Sequence, residues 1–247
     1  MRSPPTGTRG TLTIITGPLL ANPRAATLTR MPLLLLLNGP PGIGKSTLAQ
    51  RYVRDRPLAL CLDIDGIRRL IGRWDSHATE SGLLARTMAL EMARVHLLGG
   101  HDVAVPQFLG RVDLIEQLET VAFDVGARFC EVVLMDSKEN AVARFHARGE
   151  DADLAVHHRE AVQMAGGAKG LSRMYDRLQA VLAERPRATV VHTRFGETES
   201  AYQGVLAAVA APERALGLGE LGLQRRQDGV RDESRDVAAV ADDLLDQ

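Results

Sequence analysis

From residue 32 onward the apolar positions follow two alternating patterns. Short continuous runs rich in Leu and Val occur at 33–38, 58–62, 102–106, 129–135 and 189–192, and they predict strands. Longer stretches in which apolar residues recur every three or four positions occur at 45–54, 66–70, 80–98, 114–123, 139–148, 155–164, 171–184 and 197–210, and they predict helices. Strands alternating with helices of this length argue a parallel sheet with crossover helices. The run at 33–38 carries no polar alternation, as a central strand buried on both faces requires. Gly99, Gly100 and Gly126 stand where helix C-terminal caps belong. Within 80–98, the stripe Leu84, Met88 and Met92 reads as the face turned to the core.

The ends of the chain break this alternation. Residues 1–30 contain Arg2, Arg9, Arg24 and Arg30, four prolines and no acid, and their Ser and Thr follow no helical period. That composition predicts a disordered N-terminal extension, with Met31 directly before the first strand. Residues 211–247 mix nine acids and five arginines with glycine and predict a loose acidic tail. One domain is expected between them, over 31–210.

Composition narrows the classes. With 45% hydrophobic and 25% charged residues, the chain can bury a sizeable core. Its longest apolar run, 32–37, is far short of the ~20 residues of a membrane helix. A net charge of −1 gives no global attraction to nucleic acid, which also speaks against a nucleic-acid partner. Cys61 and Cys130 both lie inside apolar runs, where a thiol serves as a small core hydrophobe, and a cytoplasmic location fits. Only Lys45, Lys138 and Lys169 are lysines, so a motif that demands lysine is met less easily by chance.

Such a motif is present. Gly39, Pro40, Pro41, Gly42, Ile43, Gly44, Lys45 and Ser46 satisfy G-x-x-x-x-G-K-[ST], directly after a predicted strand and opening a predicted helix. The glycines let successive backbone N–H groups turn inward on phosphate oxygens, and the helix N-terminus adds about half a positive charge. Lys45 is expected to bridge the β and γ phosphates of ATP and Ser46 to hold Mg²⁺, while Thr47 begins the helix.

The second predicted strand runs into Asp63-Ile64-Asp65-Gly66-Ile67-Arg68. Ligands of a parallel sheet sit beyond the carboxyl ends of its strands, so both carboxylates are expected in the crevice of the phosphate loop, on one side by period-two alternation. Asp65 suits a general base that accepts the proton of an attacking hydroxyl. Arg68, one helical turn later, is placed to hold an anionic group of the acceptor. Helix capping by Asp63 or Asp65 is the competing reading.

The loop followed by D-x-D-x-x-R resembles the P-loop kinases that phosphorylate small hydroxyl acceptors, the polynucleotide 5′-kinase, zeta toxin and chloramphenicol phosphotransferase group. Similar chains are often grouped with AAA-type ATP-binding proteins of unknown substrate. The resemblance covers about residues 32–210 and implies an α/β fold: a P-loop NTPase three-layer sandwich with a mostly parallel five-stranded sheet and a helical lid. It implies Asp65 as general base and Arg68 as a ligand for an acceptor phosphate. It also implies lid arginines in the helix after the fourth strand, matched by Arg144 and Arg148, which share one helical face at i and i+4. These would neutralise charge as the γ-phosphoryl leaves.

One departure stands out. The third strand ends in Pro106-Gln107 where many P-loop ATPases carry a metal-binding aspartate, so the metal leans on Ser46 and an AAA+ motor is disfavoured. Gln107, Phe108 and Arg111, with Asp63, are expected to line the acceptor pocket. His146, His157 and His158 lack metal-site spacing. The expected function is ATP- and Mg²⁺-dependent phosphoryl transfer to a hydroxyl of a small molecule. The alternative is an ATP-binding regulatory or partner protein with slow hydrolysis, and it differs in not needing the Asp65 carboxylate.

Overall fold

Six residues, Leu33–Asn38, form strand β1, and none of them touches solvent. In the computed structural model, which describes residues 30–137, 140, 167–194 and 196–211, β1 is the middle strand of a five-stranded sheet. The others are β2 (Leu60–Cys61), β3 (Val103–Pro106), β4 (Arg128–Met135) and β5 (Thr189–His192), in the order β2-β3-β1-β4-β5. Every pairing is parallel, with Leu34 opposite Val103 on one side and Phe129 on the other. The expected mostly parallel sheet is thus wholly parallel among the described residues.

Period-two alternation divides the leucines of β1 between two cores. Leu34 and Leu36 face a cluster built from α2 (Ile64–Arg69), α3 (Ala78–Leu98), α4 (Asp113–Asp124) and Val181 of α5 (Gly167–Glu184). Leu33, Leu35 and Leu37 face α1 (Lys45–Arg54) and α6 (Thr198–Ala210). Helices on both faces of one sheet make the three-layer sandwich. Leu178 of α5 extends the first layer over Val133 and Met135 of β4. The expected helices at 139–148 and 155–164, the lid with Arg144 and Arg148, the three histidines named above and both flanks lie outside the described residues.

One reading of the sequence is overturned. Leu84, Met88 and Met92 are 54%, 45% and 42% exposed, whereas Ser81, Ala85, Ala89, Ala93 and Leu97 form the buried ridge of α3. Small side chains at every fourth position let the helix lie close on the sheet, and the bulky stripe is displaced to its flank. Helix α4 ends as its glycine suggests: Gly126 N–H donates to the Phe123 carbonyl and Ala127 N–H to that of Ala122, a Schellman closure. The thiol of Cys130 is pushed up to about 11, chiefly by burial, as suits an unreactive packing residue.

Buried polar groups brace the layers. Asp102 accepts hydrogen bonds from Leu33 N–H at 2.9 Å and Tyr52 Oη at 2.8 Å, joining β1, the start of β3 and α1. Tyr202 of α6 donates to Asp55 just beyond α1, and the Arg51 guanidinium lies 4.1 Å from the Tyr202 ring centroid. On the other face Arg185 joins Glu131 of β4 at 2.9 Å to Glu119 of α4 at 2.8 Å.

Burial raises the Glu131 pKa above the usual carboxylate range, while the charge and hydrogen bond of Arg185 pull it down. A carboxyl whose folded pKa is raised contributes most at low pH and loses that contribution as pH rises through the folded value. Arg185→Met would leave Glu131 buried without its counter-charge, at a cost of about 3–5 kcal/mol. Denaturant unfolding at pH 8 should show this loss, and at pH 5 a clearly smaller one. A loss that does not change with pH would mean that Glu131 is not the group left stranded.

Candidate active site

The phosphate loop leaves β1 through a turn that only glycine fits. Gly39 has φ +148°, and a Cβ on it would lie 2.7 Å from the Leu134 carbonyl oxygen of β4. Gly44, at φ +108°, occupies the N-cap position of α1. The Lys45 ammonium curls back to donate to the carbonyls of Gly39 at 2.8 Å and Pro40 at 3.0 Å, across the mouth of the loop. Ser46 and Thr47 follow in the first turn of α1, both exposed. Loop, lysine and helix start are therefore arranged as the motif requires.

Asn38, which the sequence reading passed over, holds this loop in place. Its buried carboxamide oxygen accepts from Gly39 N–H at 2.8 Å and Leu109 N–H at 2.9 Å, and its NH₂ donates to the Leu109 carbonyl at 3.0 Å. The end of β1, the first loop residue and the segment after β3 are joined by one side chain. Its polar position at the end of an apolar strand was the available signal.

The acidic pair lies at the carboxyl end of β2, with a different local geometry from that expected. Helix α2 begins at Ile64, two residues earlier than the sequence suggested, so Asp65 sits in its first turn instead of continuing the strand. Asp63 holds the N-cap position, yet its carboxylate makes no capping hydrogen bond and pairs with Arg69 at 3.4 Å. Neither acid serves as a side-chain cap. The two remain neighbours: burial first, and the charge of Asp63 second, raise the Asp65 pKa above its ordinary value. Arg69, a hydrogen bond from the Gln107 amide, and Lys45 act against that rise. Lys45 of the phosphate loop, the acidic pair and Gln107 at the end of β3 are thus neighbours, and Asp65 is exposed.

Arg68 is placed otherwise than foreseen. It donates to Ser81 Oγ at 3.0 Å and the Ala78 carbonyl at 2.8 Å, and it stacks 5.2 Å from the half-buried Trp74 ring, binding α2 to the start of α3. Arg69, at i+4 from Asp65, supplies the positive charge beside the acidic pair. Choosing i+3 over i+4 in Arg68-Arg69 was a choice the sequence left open. Phe108 packs against the Val133, Met135 and Leu178 cluster, and Arg111 is exposed at the rim. Beyond β4, Ser137 Oγ accepts from Asn140 N–H at 3.1 Å.

A pocket of about 170 Å³ adjoins the phosphate loop on the β5 side, lined by Gly42, Gly44, Thr47, Thr193, Arg194 and Glu197. Among the described residues no group of three or more His, Cys, Asp or Glu side chains could hold a metal ion, and no helix is long and apolar enough to cross a membrane.

A family described as an AAA domain matches residues 34–169, more than half of the chain. The chain belongs to this AAA domain family. Its sheet and phosphate loop give it the P-loop NTPase fold found in P-loop kinases. Among solved structures, the tunicamycin resistance protein of Deinococcus radiodurans is similar at 16% identity and a TM-score of 0.50, covering 74% of this chain and 98% of that one. A gluconokinase from Sinorhizobium meliloti 1021 is similar at 16% identity and a TM-score of 0.48, covering 72% and 94%. No curated protein matches the sequence.

The loop geometry yields a direct expectation. Lys45→Ala removes a charge-assisted contact to the triphosphate, so calorimetry should show Mg·ATP binding weakened by about two orders of magnitude in a folded protein. Unchanged affinity would mean that nucleotide does not engage this loop.

Proposed function

We propose that the protein is a phosphotransferase that moves the γ-phosphoryl group of ATP to a hydroxyl of a small molecule. The reading is supported by the phosphate loop of residues 39–46 together with the acidic pair at the end of β2, near enough to Lys45 for its charge to favour ionised Asp65.

ATP would lie with its phosphates in the loop of residues 39–46, Lys45 leaving the Gly39 and Pro40 carbonyls for the β and γ phosphates. Its base would enter the pocket between the loop and the segment after β5. Ser46, exposed at the start of α1, offers a hydroxyl, and Asp63 an oxygen to the ion's water shell, hard donors that suit Mg²⁺. Bound there, the ion would offset the negative charge of the phosphates. Arg144 and Arg148 are the proposed lid arginines, closing from the segment beyond Asn140.

The acceptor would sit on the other side, among Asp63, Asp65, Gln107 and Arg111, with Arg69 supplying the charge expected of Arg68. Asp65 takes the proton of the acceptor hydroxyl as its oxygen forms a bond to Pγ. The bond from Pγ to the β,γ-bridging oxygen breaks, and ADP leaves with that electron pair. Residues 31–210 are the proposed catalytic domain, in a cytoplasmic protein.

Because burial and Asp63 raise the Asp65 pKa, Asp65 must lose its proton above the usual carboxylate range, and the acid limb of kcat/KM is expected there. Linkage gives a second readout. A carboxyl of raised folded pKa costs stability once pH exceeds that value, so Asp65→Asn should be at least as stable as wild type at pH 7. The same variant should bind ATP normally and lose transfer by about 10²- to 10⁴-fold. Labelled ATP tested against a panel of hydroxyl compounds, with a no-acceptor control, measures the rate, and thermal unfolding measures the stability. Wild-type turnover in Asp65→Asn would remove the proposed base.

A further inference from the structure

We infer that Glu197 selects the phosphoryl donor by its base: the carboxylate accepts from the exocyclic amino group of adenine, so the pocket beside the phosphate loop takes ATP and turns away nucleotides that carry a carbonyl oxygen in its place. This rests on the kinase reading above and names the side chain that reads its nucleotide.

The pocket measures about 170 Å³, slightly more than the ~150 Å³ of a cavity that holds one benzene, a size that suits a flat heteroaromatic ring. Its walls differ in character. Ile43, Leu48 and Ala201 are buried and apolar, and they offer a surface to the face of such a ring. Thr193, Arg194 and Glu197 supply polar groups from the segment that follows β5. The backbone of Glu197 is held on both sides: its N–H donates to the Arg194 carbonyl at 3.1 Å, and its carbonyl accepts from Ala201 N–H at 3.1 Å. The side chain therefore starts from a fixed point at the edge of the pocket.

The Glu197 carboxylate has no task in holding the fold. It precedes α6 without capping it, and among the described residues it joins no ion pair, with Arg194 or with any other cation. Arg194 is exposed and equally without an ion pair among them. A carboxylate only accepts hydrogen bonds, and a guanidinium only donates them. Facing a base, the first requires an N–H on the ring's edge and the second a ring nitrogen or a carbonyl. Adenine carries both on one edge, its N6 amino group beside N7. Guanine presents O6 and N7 there, two acceptors that suit Arg194 and set lone pairs against Glu197. Hypoxanthine does the same, so the choice is made by repulsion as well as by attraction.

Binding by the full-length protein with Mg²⁺ tests this, read as displacement of an ATP analogue labelled on its ribose. ATP, purine riboside triphosphate and ITP carry an amino group, a hydrogen and a carbonyl oxygen in turn on the same ring carbon. Wild type should bind ATP about 10- to 100-fold more tightly than ITP, with the riboside triphosphate between them. Glu197→Gln can turn its NH₂ to the carbonyl oxygen or its own oxygen to the amino group, so in that variant the gap should close, chiefly because ITP gains affinity. A merely structural role for Glu197 would weaken all three alike. Should Glu197→Gln not fold, the wild-type order decides by itself. Equal affinity for ATP and ITP, GTP held as tightly as ATP, or a gap that survives in folded Glu197→Gln would overturn the inference. Labelled phosphate transfer separates the two readings. ATP that is selected through Glu197 and gives no phosphate to any hydroxyl compound contradicts the kinase and leaves the contact standing, whereas transfer with ATP and ITP bound equally contradicts the role of Glu197 alone. A protein that binds no nucleotide contradicts both.

Discussion

One buried carboxamide decides where both halves of the site stand. Asn38 is the last residue of a strand whose other five side chains are all leucine, and it makes three hydrogen bonds, two to Leu109 and one to Gly39. The phosphate loop hangs from Gly39, and the proposed acceptor wall begins at Gln107, two residues before Leu109. A shift of either segment would leave a buried amide or carbonyl unsatisfied, which costs more than the bond contributes when made. In the proposed kinase the separation between nucleotide and acceptor would thereby be set by the centre of the sheet.

The electrostatics of the crevice act against its stability. Asp65 is held beside another carboxylate and partly out of water, both of which favour its protonated form, while Arg69, Lys45 and the Gln107 amide favour ionisation. A surface placed for folding alone would separate Asp63 from Asp65. Clustering opposed influences on one carboxyl is the arrangement that acid–base chemistry uses, because it raises proton affinity without forbidding the charge. The bracing behind α1, from Asp102, Tyr52, Asp55 and Tyr202, supplies rigidity away from the crevice.

The parts visible in the sequence were those set by local, one-dimensional rules. Strands β1 and β5 and helix α1 have the boundaries their patterns predict, since a run of leucines or a glycine-lysine turn depends little on distant residues. The phosphate loop was legible for the same reason. What failed depended on the third dimension. Leu84, Met88 and Met92 have core composition, yet the close approach of α3 selects the alanines at every fourth position. Arg68 and Arg69 are chemically identical, and the early start of α2 turns the first toward α3 and the second toward the acidic pair. The role of Asn38 requires Leu109, 71 residues away, and no periodicity announces such a partner.

The neutral residue at the end of β3 follows from the charge balance around Asp65. In the crevice two carboxylates, Asp63 and Asp65, face two cations, Lys45 and Arg69. When nucleotide draws Lys45 to the phosphates, the balance about Asp65 tips toward negative. A third carboxylate at position 107, where many P-loop ATPases place their aspartate, would then stand against Asp65 at hydrogen-bond range and push its proton affinity higher still. A base so burdened would hold its proton to higher pH. An amide at that position favours ionised Asp65 without adding charge, so a neutral strand end is what the proposed use of Asp65 as proton acceptor requires.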